Sequence, residues 1–315
     1  MEFGFKGYHP VANLIFFGSI VVFGMLFKHP VTLAVCFFAA ALCWFRLCRK
    51  TAVKSLLAFL LPMLLVVVII NGLFAHYGTT PLLTLPDGNS LTLESLIYGF
   101  VLGLLTVTII MWFFCYNEIV TADKFMFVFG KLLPAFALVI SMVLRFVPMY
   151  RNRLKIIAEA QKGIGMDSKS GTLKQKIKNG GKKISILITW SLENAVETSD
   201  SMKARGYGLK DRKNYGKFRW SAKDIIAVVI MLLLDVILTA GYASESLYCI
   251  YNPYITINPS VDFGNTYFVN ELNLTLNPIS PLGIITLAAF TALCFLPLII
   301  DLKEDIKWNR LKSKI

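Results

Sequence analysis

Apolar runs of nearly bilayer length, broken by one long basic stretch, constrain this chain more than any other feature. A hydrocarbon core about 30 Å thick takes roughly 20 helical residues to cross. Inside it every backbone polar group must be bonded within the chain, so such runs fold as helices. Six are read here: Val11–Phe27, Val31–Phe45, Ser55–His76 with Pro62 as a kink, Glu94–Tyr116, Asp224–Tyr242 and Pro281–Ile300. With 56% hydrophobic residues, the 315-residue chain is too apolar for an ordinary soluble domain pair. The expected fold class is an all-α membrane protein with about six transmembrane helices and a long pair of amphipathic helices on its cytoplasmic side. No small-residue cleavage site follows the first run before Lys28-His29-Pro30, so that run is expected to stay as an anchor.

Charge orients the spans. Between Arg145 and Lys223 lie 19 Lys/Arg and 6 Asp/Glu, so the whole net charge of +13 sits there and the rest of the chain is neutral. Such a patch suits nucleic acid, anionic lipid or an acidic protein, but beside membrane spans the positive-inside rule explains it first. Segments 77–93, with the turn Pro86-Asp87-Gly88, and 244–280, with Glu245, Asp262 and Glu271, contain no Lys or Arg and read as outside loops. Both termini then fall in the cytoplasm. The apolar segment 125–147 is read as an amphipathic or shallow membrane-surface helix bent at Pro134, because a span there would split the basic residues between two sides. The resulting organisation is a four-span region 1–116, a basic cytoplasmic region 117–223, a two-span region 224–300 with the outer loop 244–280, and a basic tail 301–315.

Chemistry of its own has no visible home. No G-x-x-x-x-G-K-[ST] appears, and Gly180-Gly181-Lys182-Lys183 reads as a flexible basic turn, so ATP cannot bind by the P-loop route. The six cysteines lie mostly in apolar runs without C-x-x-C spacing and read as fillers. No metal site and no nucleic-acid partner is expected. One ionisable residue, Asp235, sits within an apolar span, where it costs about 2.5–3.5 kcal/mol on insertion scales and must face protein or water. It is either functional or a structural hydrogen bond to another helix, with Asn71 as a candidate partner.

Within the basic region two amphipathic arms are read. The first, Pro148–Gly165, carries the stripe Leu154, Ile157, Ala158 and Ile164 and the basic row Arg151, Lys155 and Lys162, and should end at Gly163-Ile164-Gly165. The second follows a Lys-rich linker, 169–183, and runs to Arg205. It carries the stripe Ile184, Leu187, Ile188, Ala195, Ser199 and Met202 and the acidic row Glu193, Glu197 and Asp200. Gly206 is its expected left-handed C′ residue. The two charged rows are expected to face each other partly where the arms cross. Each arm thus ends in a glycine corner, and paired tips suit a partner with two equivalent grooves.

Three pieces of sequence, Leu144-Arg145-Phe146-Val147-Pro148, Glu159-Ala160-Gln161-Lys162 and Ala204-Arg205-Gly206, resemble the transmembrane T component of energy-coupling factor (ECF) transporters. The resemblance implies a non-catalytic coupling subunit in a bacterial or archaeal cell membrane. Its partners would be two ABC-type ATPases, which bind the ATP and Mg, and a membrane-embedded S component that binds a vitamin, metal ion or other micronutrient. In that family each arm ends in Ala-Arg-Gly and the arginines dock on the ATPases. Ala204, Arg205 and Gly206 keep that motif. Gly163, Ile164 and Gly165 replace the first copy, with Ile164 where the arginine would stand, which implies an apolar groove or an asymmetric ATPase partner. The competing readings are a self-contained carrier or membrane enzyme centred on Asp235, and a membrane anchor that binds anionic surfaces through the basic linker.

Overall fold

The computed structural model describes residues 4–48, 53–54, 56–75, 80–84, 90–132, 134–166, 172–207, 218–247, 249–251, 255–257, 267–269, 274–276 and 279–312. The turn Pro86-Asp87-Gly88, most of the linker's start and the loop residues Asp262 and Glu271 lie outside them. The chain forms two compact units, one made of Met1–Lys124 with Phe218–Ile315 and the other of Phe125–Lys217.

The first unit is built on six apolar helices: α1 (Pro10–Leu26), α2 (Pro30–Leu47), α3 (Leu61–Phe74, entered through a π-helical turn at Leu56–Leu60), α4 (Leu93–Ile119), α8 (Ala222–Ala243) and α9 (Pro281–Lys312). All but α1 are long and apolar enough to cross a membrane, α3 by including its π turn, and α1 falls short at 17 residues. The helix starts follow the chemistry of their caps. His9 and His29 each precede a proline, and each accepts the backbone N–H two residues on through Nδ1 (3.3 and 3.2 Å). Proline at the first helical position loses no bond, because that N–H has no partner inside the helix anyway. At 32 residues α9 is about 48 Å long, so what reads as a tail from Asp301 continues the last span as one helix.

Helices in lipid gain little from burying apolar surface, so close approach and polar clamps fix their packing. A Cβ on Gly99 of α4 would stand 3.0 Å from Asn71 Cβ and 3.2 Å from the carbonyl oxygen of Val68, and one on Gly103 would stand 3.4 Å from that of Leu64. The Gly99/Gly103 spacing is therefore the seat of α3. Behind α4, Trp112 is buried against Phe16 and Phe17 at edge-on angles, with its indole N–H donating to Cys36 Sγ at 3.3 Å. Cys43, Cys115 and Cys294 fill the same core as free thiols.

The N-terminal turn, Gly4–Gly7, ties one end of this unit together. Gly4 N–H donates to Asp301 Oδ1 (2.9 Å) while Arg46 Nε donates to Asp301 Oδ2 (2.8 Å) and its Nη2 to Asp305. His9 N–H donates to Asp224 Oδ1 (3.0 Å), whose other oxygen completes the α8 capping box with Ser221 N–H (2.9 Å). The buried Lys124 ammonium donates to the Lys6 carbonyl (2.6 Å). At the opposite end lie two small sheets, which leave the all-α class intact. A hairpin pairs β1 (Pro81–Thr84) with β2 (Ser90–Thr92), and β3 (Cys249–Ile250), β4 (Ile255–Ile257), β5 (Tyr267–Val269) and β6 (Leu274–Leu276) run in the order β3-β4-β6-β5, with β4 and β6 parallel. Cys249, Tyr251 and Ile255 pack on Leu33, Val101 and Leu105, and Tyr251 donates to the Lys28 carbonyl (2.8 Å).

The second unit differs from the sequence reading in its boundaries. Segment 125–147 is helical wherever it is described, over α5 (Ala122–Leu132) and the start of α6 (Pro134–Gly163). Pro148 lies inside α6 and does not open the first arm, because one missing N–H leaves the rest of the ladder able to continue. α7 (Leu173–Ala204) starts within the expected linker from a capping box of Thr172 and Gln175, so Gly180-Gly181 is helical and not a turn.

Two measurements check these packing claims. Gly99→Leu should cost at least the 1–3 kcal/mol typical of overpacking and lower the melting temperature in detergent, whereas Gly18→Leu on the open face of α1 should not. Burial, with the like charge of Lys6 added, lowers the Lys124 pKa to about 8. The folded protein therefore sheds this proton before the unfolded chain does, and stability rises with pH from about 8 to the ordinary lysine value near 10.5. Lys124→Met should flatten that limb of the melting-temperature profile.

Candidate functional site

The arm tips are built from two helix ends that close in the same way. At the end of α6, Gly165 N–H donates to the Lys162 carbonyl (3.1 Å) and Met166 N–H to that of Gln161 (2.9 Å). At the end of α7, Gly206 N–H donates to Lys203 (3.0 Å) and Tyr207 N–H to Met202 (3.0 Å). Both are Schellman closures with a left-handed glycine at C′, Gly165 at φ +76° and Gly206 at φ +71°. The residue before each glycine is the C-cap, and it projects from the corner. Ile164 and Arg205 hold that place, and both are exposed. Gly163 and Ala204 are the last helical residues of the two arms. The equivalence of Ile164 with Arg205, implied by the resemblance, is thus a matched backbone geometry. Only the side chain differs: a branched hydrocarbon on one tip, and on the other a guanidinium at the partially negative end of a helix.

The faces that join α6 to α7 overlap only in part with those read from the sequence. On α6 the inward residues include Tyr150, Arg153, Ile157, Ala158 and Gln161; on α7 they include Lys183, Leu187, Trp190, Asn194, Thr198 and Met202. Trp190 is the centre of the contact. Its ring meets Tyr150 edge-on with centroids 5.9 Å apart, and the Arg153 guanidinium lies 4.8 Å over it. Of the expected stripes, Ile157, Ala158, Leu187 and Met202 face inward, but Leu154, Ile164, Ile184, Ile188, Ala195 and Ser199 do not. Tyr150 and Trp190 were the missed signal. An aromatic near the middle of each helix outweighs aliphatic residues because one ring buries more area and also accepts a cation.

The charged rows do not meet. Arg151, Lys155 and Lys162, like Glu193, Glu197 and Asp200, are exposed, and among the described residues no ion pair joins the two rows. Asp200 pairs with Lys203 on its own helix instead (3.7 Å). Both rows lie on outward faces of their helices. Arg145 is exposed on α6, next to the stacked pair Phe146 and Tyr150 (5.7 Å).

In the first unit, Asp235 on α8 accepts a hydrogen bond from Ser19 Oγ on α1 (2.6 Å). Its clamp is therefore Ser19; Asn71, the expected partner, packs on Gly99. Among the described residues no group of three or more His, Cys, Asp or Glu side chains is placed to hold a metal ion.

Comparison with known proteins now decides the family. The family model CbiQ, described as "Cobalt transport protein", matches residues 6–215, two thirds of the chain. The chain belongs to the CbiQ family. Relatives named "Energy-coupling factor transporter transmembrane protein EcfT" are 37% identical over 99 residues in Lactobacillus helveticus, 32% over 102 in Lactococcus lactis and 33% over 103 in Bacillus subtilis. Each match covers 31–32% of this chain and 36–39% of the relative, so the chain spans well under half the length of the relatives it matches. The T-component resemblance carried by the three motifs holds at the level of family. With its apolar helices, this CbiQ-family chain is a multi-pass membrane protein. The match ends before α8, so α8, the β3–β6 sheet and α9 lie outside it.

The contact between the arms makes a definite expectation. Lys155→Glu and Glu197→Lys should give additive effects on any activity the arms support, with no rescue in the double variant. Trp190→Ala should raise amide exchange in α6 and α7 together, a change visible by mass spectrometry at residues far from the substitution.

Proposed function

We propose that this chain is the energy-coupling transmembrane subunit of an ECF-type importer. Two ABC-type ATPases bind the arm tips, close on ATP and move α6 and α7. The membrane helices then reorient a separate substrate-binding membrane subunit, which carries specificity for a vitamin, metal ion or other micronutrient. The chain itself performs no chemistry. Both termini and the arms lie in the cytoplasm, where the basic residues belong.

The observation that carries this reading is the pair of matched corners. Two long helices of one unit end in the same backbone closure and each presents one exposed residue from it. A helix end needs no such exposed side chain for its own stability, and the duplication fits a partner with two related clefts. The exposed aliphatic ridge Ile184, Ile188, Leu192 and Val196 of α7 supports a further partner, because none of these residues is used in packing against α6. Its apolar character suits the membrane-embedded subunit.

Co-purification of the full chain with candidate ATPases tests the proposal, with uptake measured in parallel. Arg205→Ala should weaken ATPase association more than tenfold, as expected for a lost charge pair at an interface, worth roughly 2–5 kcal/mol, and should abolish uptake without affecting membrane insertion. Ile164→Asp should be more damaging than Ile164→Arg. Normal assembly and uptake in both Arg205→Ala and Ile164→Asp would refute docking through the tips.

A further inference from the structure

The first two turns of α7 run against what a helix start ordinarily favours. The N-terminal end of a helix is its partially positive pole, where acidic side chains are stabilising and basic ones are not. The first turn of α7 has no acidic residue, and Lys174, Lys176 and Lys178 crowd the pole instead. From Ser168 to Leu192 the sequence contains no Asp or Glu. All three lysines are exposed, and among the described residues none of them has an ion-pair partner. Lys182, one turn on, contacts Met166 Sδ of its own unit (3.7 Å). Among the lysines stand Leu173, 78% exposed, and Ile177, 69% exposed, the two most exposed large aliphatic side chains of the described residues. At about 100° per residue, Leu173 and Ile177 share one line along the helix, with Lys176 about 80° to one side of it and Lys174 about 80° to the other. Lys178 extends the second flank, and the line runs on through Ile184, where the aliphatic ridge begins.

Neither feature serves the helix itself, because the charges oppose its dipole and the fold leaves the aliphatic pair uncovered. We infer that this root of α7 lies on an anionic bilayer surface. There the aliphatic pair enters the boundary between headgroups and acyl chains. The lysine stems run along that boundary while their ammonium groups reach the phosphates. Each lysine held near such a surface strengthens attachment about fivefold. The aliphatic pair adds a contact that salt does not screen. Nucleic acid or a free polyphosphate would answer the lysines but leave Leu173 and Ile177 in water. A bilayer covers both, and the chain is already tied to one by its apolar helices. The root is separated from Arg205 by about 48 Å of helix. The inference stands on membrane embedding alone and not on the coupling role.

The test places the full chain in nanodiscs of phosphatidylcholine alone or of phosphatidylcholine mixed with phosphatidylglycerol. Amide exchange of the segment 173–183 is then read by mass spectrometry. At low salt the segment should exchange at least fivefold more slowly in the phosphatidylglycerol discs. The difference should shrink at about 1 M salt, where the Debye length is about 3 Å. Lys174→Gln, Lys176→Gln and Lys178→Gln together should remove it. In phosphatidylcholine discs that variant should exchange no faster than the parent, which separates loss of lipid from loss of helix. Leu173→Ser with Ile177→Ser should reduce the difference although every charge remains. Equal exchange in the two kinds of disc at low salt, or a difference retained in full by either variant, would overturn the inference. So would protection that appears only when a candidate ATPase is added, which would assign this face to an acidic protein.

Discussion

The place of α3 in the membrane unit depends on how closely it can lie against α4. Between two lipid-facing helices apolar area gives almost no preference for contact over solvation by acyl chains, so association needs backbone proximity or polar pairing. Gly99 and Gly103 supply the first: a Cβ on Gly99 would crowd the Val68 carbonyl, and one on Gly103 would just touch that of Leu64. Ser19 and Asp235 supply the second between α1 and α8. At the end of the unit that carries the N-terminal turn, Asp224 and Asp301 each spend both carboxylate oxygens on partners from separate segments. Asp301 joins the N-terminal turn and α2 to α9, and Asp224 joins the residue before α1 to the start of α8, so helices far apart in sequence are held by polar contacts.

Much of this was legible because lipid imposes a strict rule on sequence. Apolar length set the six helices to within a few residues at most ends, while the role of Gly99 and Gly103 as the seat of α3 shows only in the structure. The small sheets were not legible: strands of two to four residues at the membrane surface carry no periodicity, and the segments holding them were distinguished only by missing Lys and Arg. The arms show a different limit. Charge rows at helical spacing describe which residues share a face, but they do not say which face turns inward. Trp190 decides that, and its indole with Arg153 and Tyr150 outweighs every exposed ion pair, each worth about 0–1 kcal/mol. The matched closures were half visible, since Gly163-Ile164-Gly165 and Arg205-Gly206 mark helix ends, while their identity as one geometry needed the hydrogen bonds.

Among the described residues three helices, α6, α7 and α8, stop by the same device, the third with Glu245 at φ +51° donating to the Tyr242 carbonyl, and what sits at each corner tells them apart. An isoleucine, an arginine and a strained glutamate occupy positions at or beside the left-handed residue, where a side chain is thrown clear of its helix. The fold thus reuses one backbone turn to display an apolar, a cationic and an anionic group.

The adjacent glycines inside α7 give that arm an uneven stiffness. Each costs about 0.5–1 kcal/mol relative to alanine in a helix interior, and neither is braced, since nothing approaches within 4 Å of where its Cβ would be. The stretch from Leu173 to Lys178 that precedes them is Lys-rich and exposed, so it can unwind at little cost while the Trp190 contact keeps the remainder rigid. Seen as a mechanical part, α7 is a stiff lever with a compliant root. A pull on its tip is carried faithfully as far as Trp190, and excess strain is absorbed at Gly180-Gly181 before it can pry the lever from α6.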